Sequence, residues 1–232
     1  MIFNIRLGCF GGPMRMGDLV ACANVVEHFR QTENNLGIKF YIDAAARQAS
    51  IHVTEFFEIL CQLTDYFSAE PGSVDLPWRR VNLWDYRDIA GDLVHIPNPV
   101  EPQQRIIVAP LLDADYNTYR NWPQSVVDKI ITEVNEQYPD HERIIATRHN
   151  ISRPGWRTVS NLVESVELIQ SAQVYYGGDT GLSHFVGALA SGPEPVYYTS
   201  SRGLLHTTPI NWYTKRKGTM RTYWLDFENT QW

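Results

Sequence analysis

The second half of the chain contains a glycine-rich turn whose residue types suit anion binding. It reads Gly178-Asp-Thr-Gly-Leu-Ser-His184 and follows an apolar run at 174–176 that predicts a buried strand. Apolar residues then recur at helical spacing over 182–189, so a helix is predicted to begin inside the turn. The first N–H groups of a helix have no partner within it and lie at the positive end of its dipole, so they can hold a phosphate without a lysine. A helix cap made by Asp179 or Thr180 is the structural alternative.

A second glycine-rich segment lies near the amino terminus. Residues 2–7 predict a strand, and residues 8–17 predict a loop with little periodicity. Asp18 then occupies the expected cap position of a helix whose apolar stripe extends over 19–29. The two glycine-rich turns therefore share one arrangement, in which a strand leads through a loop to a helix start.

Predicted strands alternate with predicted helices along the whole chain. This alternation favours an α/β fold with parallel sheets and helices on their faces. Three prolines within 97–102 indicate an extended connector, which divides the chain into Rossmann-like domains at 1–100 and 101–232. Ligands of such folds bind at the carboxyl ends of the strands, so the loops there are expected to face one crevice between the domains. The further strands are predicted at 38–42, 81–84, 106–108 and 144–146, and Pro123 is predicted in the first turn of a helix.

The composition of the chain argues against several classes of protein. The chain has 232 residues, of which 44% are hydrophobic, and a formal net charge of −6, which argues against broad electrostatic attraction to nucleic acid. The 3 cysteines lack metal-ligand spacing and are expected to be reduced thiols in a cytoplasmic protein. No apolar stretch approaches the roughly 18 residues of a membrane span, and the amino terminus lacks the layout of a secretory signal. The sequence thus predicts a soluble protein without a transmembrane segment.

Three motifs, in order along the chain, resemble those of the heptosyltransferase family, glycosyltransferase family 9. The 178–184 segment resembles the family's donor-site signature, and Met14-Arg-Met-Gly-Asp-Leu-Val20 resembles its amino-terminal Gly-Asp motif. Arg120-Asn-Trp-Pro123 resembles its Lys-x-Trp-Pro segment, with arginine replacing lysine. The resemblance covers the second half well and the first half only at its start. It implies a GT-B-like fold and an inverting transfer of sugar from a nucleotide-diphosphate sugar to an acceptor hydroxyl, without an essential metal or a separate cofactor.

The resemblance also implies roles for individual residues. Asp18 matches the family's Gly-Asp aspartate and becomes the candidate general base, while Arg120 becomes the candidate phosphate-binding cation. The expected donor-binding group is completed by Asp179 toward sugar hydroxyls, by the backbone N–H groups of Thr180 and Gly181 and the Thr180 hydroxyl toward the diphosphate, and by His184 as support for the phosphate or the loop. Met16 and Gly17 are expected in the acceptor-side loop, and no residue is assigned to a metal.

Several alternatives stay open at this stage. The first half is shorter than the family's acceptor domain, so the acceptor could be a glycan or a hydroxylated DNA base, the latter with 215–221 contacting phosphates. A nucleotide-sugar-binding protein without catalysis is a second alternative. A third is a metal-dependent GT-A transferase that uses Asp113-Ala-Asp115 to hold a divalent ion. The loop Thr147-Arg-His-Asn150 is either a nucleotide contact or an ordinary polar surface loop.

Overall fold

A computed structural model describes residues 2–8, 15–42, 51–72, 79–82, 96–112, 121–200 and 221–225. In the first half, strands alternate with helices as the sequence predicts. The elements are β1 (Ile2–Gly8), α1 (Met16–Thr32), β2 (Lys39–Ile42), α2 (Ile51–Leu63) and β3 (Arg79–Asn82).

The same alternation continues in the second half. Its strands are β4 (Arg105–Ala109), β5 (Glu142–Ala146), β6 (Arg157–Val159), β7 (Val174–Gly177), β8 (Glu194–Ser200) and β9 (Arg221–Leu225). Its helices are α3 (Gln124–Gln137), α4 (Leu162–Gln170) and α5 (Gly181–Ala188).

The described strands form two parallel sheets. The first has the order β2-β1-β3, and the second has the order β6-β5-β4-β7-β8-β9. Because all strands of a parallel sheet run in one direction, their carboxyl ends share one edge. Helix α5 begins just past the carboxyl end of β7, at the edge where ligands of such folds bind. Residues 9–14, between β1 and α1, lie outside the described residues.

Helices from the two halves pack against each other between the sheets. Side chains alternate across the second sheet, so that Ile106 and Val108 join the core beneath α3 while Ile107 and Ala109 face the opposite core. That opposite core continues from α4 and α5 into α1 and α2 of the first half. The ring of Phe56 in α2 meets the ring of Phe185 in α5 edge to face, with centroids 5.8 Å apart. One hydrophobic core therefore joins both halves.

The start of the proline-rich connector is fixed to the second half. Backbone hydrogen bonds join Ile96 to Ala188 and Ala190 at the end of α5, over 2.6 and 2.8 Å. The buried Asn98 amide donates to the carbonyl oxygens of Gln170 and Ser191, each at 2.9 Å. The predicted domain boundary near residue 100 stays a prediction.

Several local predictions are corrected. Helix α1 begins two residues before Asp18, because that carboxylate accepts a hydrogen bond from the Arg15 backbone and stabilises the first turn from inside. Pro123 precedes α3 as its cap residue instead of lying in its first turn. The third strand spans Arg79–Asn82, and β6, β8 and β9 were not predicted. None of the described helices has both the length and the apolar character that crossing a membrane requires.

Candidate active site

The first turns of α1 and α5 touch each other through two glycines. A Cβ atom placed on Gly181 would overlap the Cβ of Met16 and would lie 3.3 Å from the backbone nitrogen of Gly17. A Cβ atom on Gly17 would lie 2.8 Å from Cδ2 of His184. Only glycine allows this approach, so the amino-terminal Gly-Asp motif and the Asp-Thr-Gly turn lie in contact.

Four backbone N–H groups at this contact have no acceptor among the described residues. They belong to the first two residues of each helix, namely Met16, Gly17, Gly181 and Leu182, all half-buried. Each helix start carries about half a positive charge from its dipole, so the two ends repel each other unless an anion lies between them. The arrangement therefore suits a phosphate or diphosphate.

Asp18 lies beside this group of donors and is half-buried. One carboxylate oxygen accepts the backbone N–H of Arg15 at 2.8 Å. Asp18 is thus a structural member of the first turn of α1. Its expected role as the general base stays a prediction.

The Thr180 hydroxyl is the cap of α5. Its oxygen accepts the backbone N–H of Ser183 at 3.2 Å, and its own N–H donates to the carbonyl of Gly178 at 3.0 Å. The expectation that the backbone N–H of Thr180 faces a diphosphate is therefore corrected, because that N–H has a partner in the turn. Among the described residues, the backbone N–H groups of α5 that have no acceptor are those of Gly181 and Leu182.

A buried cluster of hydroxyl groups lies beneath the turn. The Ser183 hydroxyl donates to the carbonyl of Gly178 and lies 3.0 Å from the hydroxyl of Tyr175 and 3.2 Å from that of Thr180. The hydroxyl of Tyr197 donates to the backbone carbonyl of Ser183 at 3.0 Å. Ser183 is thereby tied to two strands and to the turn, which fixes the amino end of α5.

The Tyr175 hydroxyl gives a prediction for the pH dependence of stability. Burial raises its pKa from 10.0 to about 12, and the hydrogen-bonding contacts with the hydroxyls of Ser183 and Thr180 oppose this only in part. Since the folded state keeps the proton longer than the unfolded state, the stabilisation is complete below pH 10 and is lost as the pH rises toward 12. We expect urea unfolding to show a loss of about 2 kcal/mol over this range that Tyr175→Phe lacks. Identical pH profiles for the two proteins would contradict the prediction.

Asp179 and His184 form a pair behind the turn. Asp179 as a whole is only 4% exposed, and its Oδ1 lies 3.8 Å from Nε2 of His184. The imidazole in turn packs against Gly17 across the helix contact. His184 thus lies between Asp179 and Gly17, and its expected role as support for the phosphate or the loop stays a prediction. The expected contact of Asp179 with sugar hydroxyls stays a prediction.

Trp122 connects the turn to the segment that carries Arg120. Its backbone N–H donates to the carbonyl of Leu111 at 2.6 Å, and its indole N–H donates to the carbonyl of Tyr198 at 3.1 Å. A Cβ atom on Gly178 would lie 2.9 Å from that indole nitrogen. Arg120 itself lies outside the described residues, so its role as a phosphate-binding cation stays a prediction.

Other candidates from the sequence lie partly outside the described residues. The loop at 147–150 follows β5 at the same edge of the sheet, where the Thr147 hydroxyl accepts the backbone N–H of His149 at 3.2 Å. Asp113, Asp115 and the basic segment at 215–217 are not described. Within the described ranges, no three His, Cys, Asp or Glu side chains are grouped so as to hold a metal ion. The expected independence from metal stays a prediction.

The sequence did not single out the unpaired N–H groups of α1 or the Tyr175 hydroxyl. The predicted helix cap by Asp179 or Thr180 is made by Thr180, whose hydroxyl accepts the backbone N–H of Ser183. No local pattern indicates that Gly177 makes room for a tyrosine ring, because that contact depends on the path of the turn in three dimensions.

Comparisons with known proteins identify the fold. No protein-family model matches the sequence, and no curated protein matches it. Among solved structures, it matches the iron-containing dodecameric glycosyltransferase TibC of enterotoxigenic E. coli, with a TM-score of 0.56 and 14% identity. This match covers 85% of the present chain and 57% of TibC, so the chain spans little more than half of that protein.

Two E. coli heptosyltransferases match over nearly their whole lengths. WaaC, solved with ADP, gives a TM-score of 0.54 at 10% identity over 96% of this chain and 92% of WaaC. The ADP-heptose lipopolysaccharide heptosyltransferase II gives 0.56 at 13% identity over 95% of this chain and 90% of that protein. At these identities the likeness establishes the fold, and it confirms the predicted α/β, GT-B-like class.

Proposed function

We propose that this chain is an inverting glycosyltransferase that moves a sugar from a nucleotide-diphosphate sugar to an acceptor hydroxyl. The observation that carries the proposal is the contact between the first turns of α1 and α5. It brings Asp18 next to a group of unpaired N–H donors, so that a proton acceptor and an anion site lie together. The shared fold with glycosyltransferases supports the same assignment.

The departing diphosphate would bind at the two helix starts. In this proposal the N–H groups of Gly181 and Leu182 face it from α5, and those of Met16 and Gly17, which the sequence predicts in the acceptor-side loop, face it from α1. As the bond between the anomeric carbon and the phosphate oxygen breaks, its electron pair moves to that oxygen. The N–H dipoles are already fixed in position, so they stabilise the resulting negative charge without having to reorient. Electrostatic catalysis is most effective when the stabilising groups are preorganised in this way.

Asp18 would act on the acceptor from the opposite side of the sugar. Its carboxylate takes the proton of the acceptor hydroxyl while the hydroxyl oxygen attacks the anomeric carbon on the face away from the diphosphate. Attack opposite to the leaving group inverts the configuration at that carbon. The reaction is independent of metal in this proposal, and the acceptor is a glycan hydroxyl or, alternatively, a hydroxylated DNA base.

A thermal-shift panel tests the donor assignment. Sugars linked to ADP, UDP, GDP and CMP are added to the wild type, to Thr180→Val and to Arg120→Ala, with and without a chelator. A ligand at 100 times its Kd stabilises a protein by about 2.7 kcal/mol, so binding is readily detected. We expect one diphosphate-linked sugar to stabilise the wild type, both variants to respond less, and the chelator to have little effect.

Two results would contradict the proposal. If no nucleotide sugar raises the Tm of the wild type at millimolar concentration, the assignment of a nucleotide-sugar donor is wrong. If the chelator abolishes the response, the metal-dependent alternative with Asp113 and Asp115 takes its place.

A further inference from the structure

The hydroxyl cluster beneath the turn contains fewer protons than possible hydrogen bonds. Tyr175, Ser183 and Thr180 each contribute one hydroxyl proton, and each oxygen can accept up to two. The Ser183 proton is used on the carbonyl of Gly178. The Ser183 oxygen can therefore only accept hydrogen bonds, and the donors within reach are the hydroxyls of Tyr175 at 3.0 Å and Thr180 at 3.2 Å.

The two possible donors to Ser183 differ in their access to a ligand. Tyr175 is fully buried, so its hydroxyl has no access to a ligand. Thr180 is half-buried and stands at the start of α5, beside the unpaired N–H groups. The Tyr175 proton can only serve the interior, whereas the Thr180 proton can turn either to Ser183 or to a bound anion.

From this geometry we infer that Tyr175 is a positioning residue that releases the Thr180 hydroxyl proton for the donor diphosphate. This inference rests on the proposed function. When Tyr175 donates a hydrogen bond to the Ser183 oxygen, the Thr180 hydroxyl can rotate away from Ser183 and that buried oxygen still has a donor. Without the Tyr175 hydroxyl, Thr180 becomes the only side-chain donor to the Ser183 hydroxyl among the described residues, and turning toward the ligand leaves that oxygen without a donor, which is costly in a buried site.

The backbone of the turn is built to allow this contact. A Cβ atom on Gly177 would lie 2.6 Å from the Ser183 hydroxyl oxygen and 2.6 Å from Cζ of Tyr175. A side chain at this position would displace the tyrosine ring or the serine. Glycine at 177 thus leaves room for the contact between the Tyr175 hydroxyl and Ser183. Through this contact, Gly177 influences which partner the Thr180 hydroxyl proton binds.

Tyr197 offers a matched control. Its hydroxyl is also buried and also bonds to Ser183, but it donates to the backbone carbonyl, not to the side chain. Tyr197→Phe and Tyr175→Phe remove the same atom from the same small region. Both should lower the Tm, whereas only Tyr175→Phe should change the availability of the Thr180 proton.

The test measures Kd by calorimetry for the nucleoside diphosphate that stabilises the wild type most, and for the matching monophosphate. We expect Tyr175→Phe to weaken diphosphate binding about fivefold and Tyr197→Phe to change it by less than about twofold. In the Thr180→Val background, where no hydroxyl proton remains at position 180, Tyr175→Phe should cause no further loss. Thr180→Ser should restore the dependence on Tyr175.

The outcomes separate this inference from the proposed function. Equal effects of Tyr175→Phe and Tyr197→Phe, or an additive loss in the double variant, would overturn the inference and leave the donor site intact. A wild type that binds no nucleoside diphosphate would overturn both.

Discussion

Asp18→Asn is expected to lower kcat by about 10²–10⁴-fold while leaving the affinity for the nucleotide sugar nearly unchanged. Asparagine keeps an oxygen that can accept the Arg15 N–H, so the first turn of α1 should remain intact. It cannot take the acceptor proton at neutral pH. The measurement is the release of nucleoside diphosphate from the best-binding donor, with donor binding followed separately.

Asp128→Asn is the matched control for Asp18→Asn. It removes an exposed carboxylate of α3 that is bonded to Arg153 and Gln124, without touching the helix contact. It should leave kcat unchanged. If Asp18→Asn retained kcat within about twofold, Asp18 would be a structural residue of the turn only. If the wild type bound donor but released no diphosphate with any acceptor or with water, the non-catalytic alternative would stand.

Gly181→Ala is expected to lower kcat about 100-fold, because a displacement near 1 Å between reacting groups costs about that much. The added Cβ would overlap the Cβ of Met16, so the first turns of α1 and α5 must separate. The free energy of unfolding should fall by about 1–3 kcal/mol, as expected for overpacking. The measurement combines kcat, donor Kd and chemical denaturation.

A compensating change tests the cause of that loss. Met16→Gly in the Gly181→Ala background moves the Cβ atom from one helix to the other and removes the overlap. We expect the double variant to recover at least about tenfold in kcat, although glycine within the first turn of α1 costs up to about 1 kcal/mol of stability. No recovery would show that the loss arises within the Asp-Thr-Gly turn and not from the helix contact.

The alternation of strands and helices could be predicted because buried parallel strands and amphipathic helices leave distinct periodicities in the sequence. The short strand β6, with Arg157 and Thr158 exposed, leaves no such periodicity and was missed. The start of α1 was misplaced because Asp is common both as a cap and in the first turn. Only the backbone path shows that Asp18 accepts the Arg15 N–H from the third helical position.

The sequence predicts those parts of the candidate site whose residues belong to one continuous motif. It does not predict contacts between residues that are far apart in the chain and meet only in the folded protein. Thr180, Gly181 and His184 belong to one motif, so their proximity follows from sequence. The approach of Gly17 to His184 depends on how two helices from different halves pack, which local patterns do not encode. The same is true of Trp122, whose indole fixes Gly178 although 56 positions separate them in the sequence.

The ring contact between Phe56 and Phe185 limits how α2 and α5 can move relative to each other. A wide separation of these helices would expose both buried rings to water, at about 1.5–3 kcal/mol for each fully buried side chain. Sliding of α1 and α2 along α5 and α4 keeps the rings covered and costs less free energy. We therefore expect any opening between Gly17 and Gly181 to proceed by shear of these helices and not by a hinge.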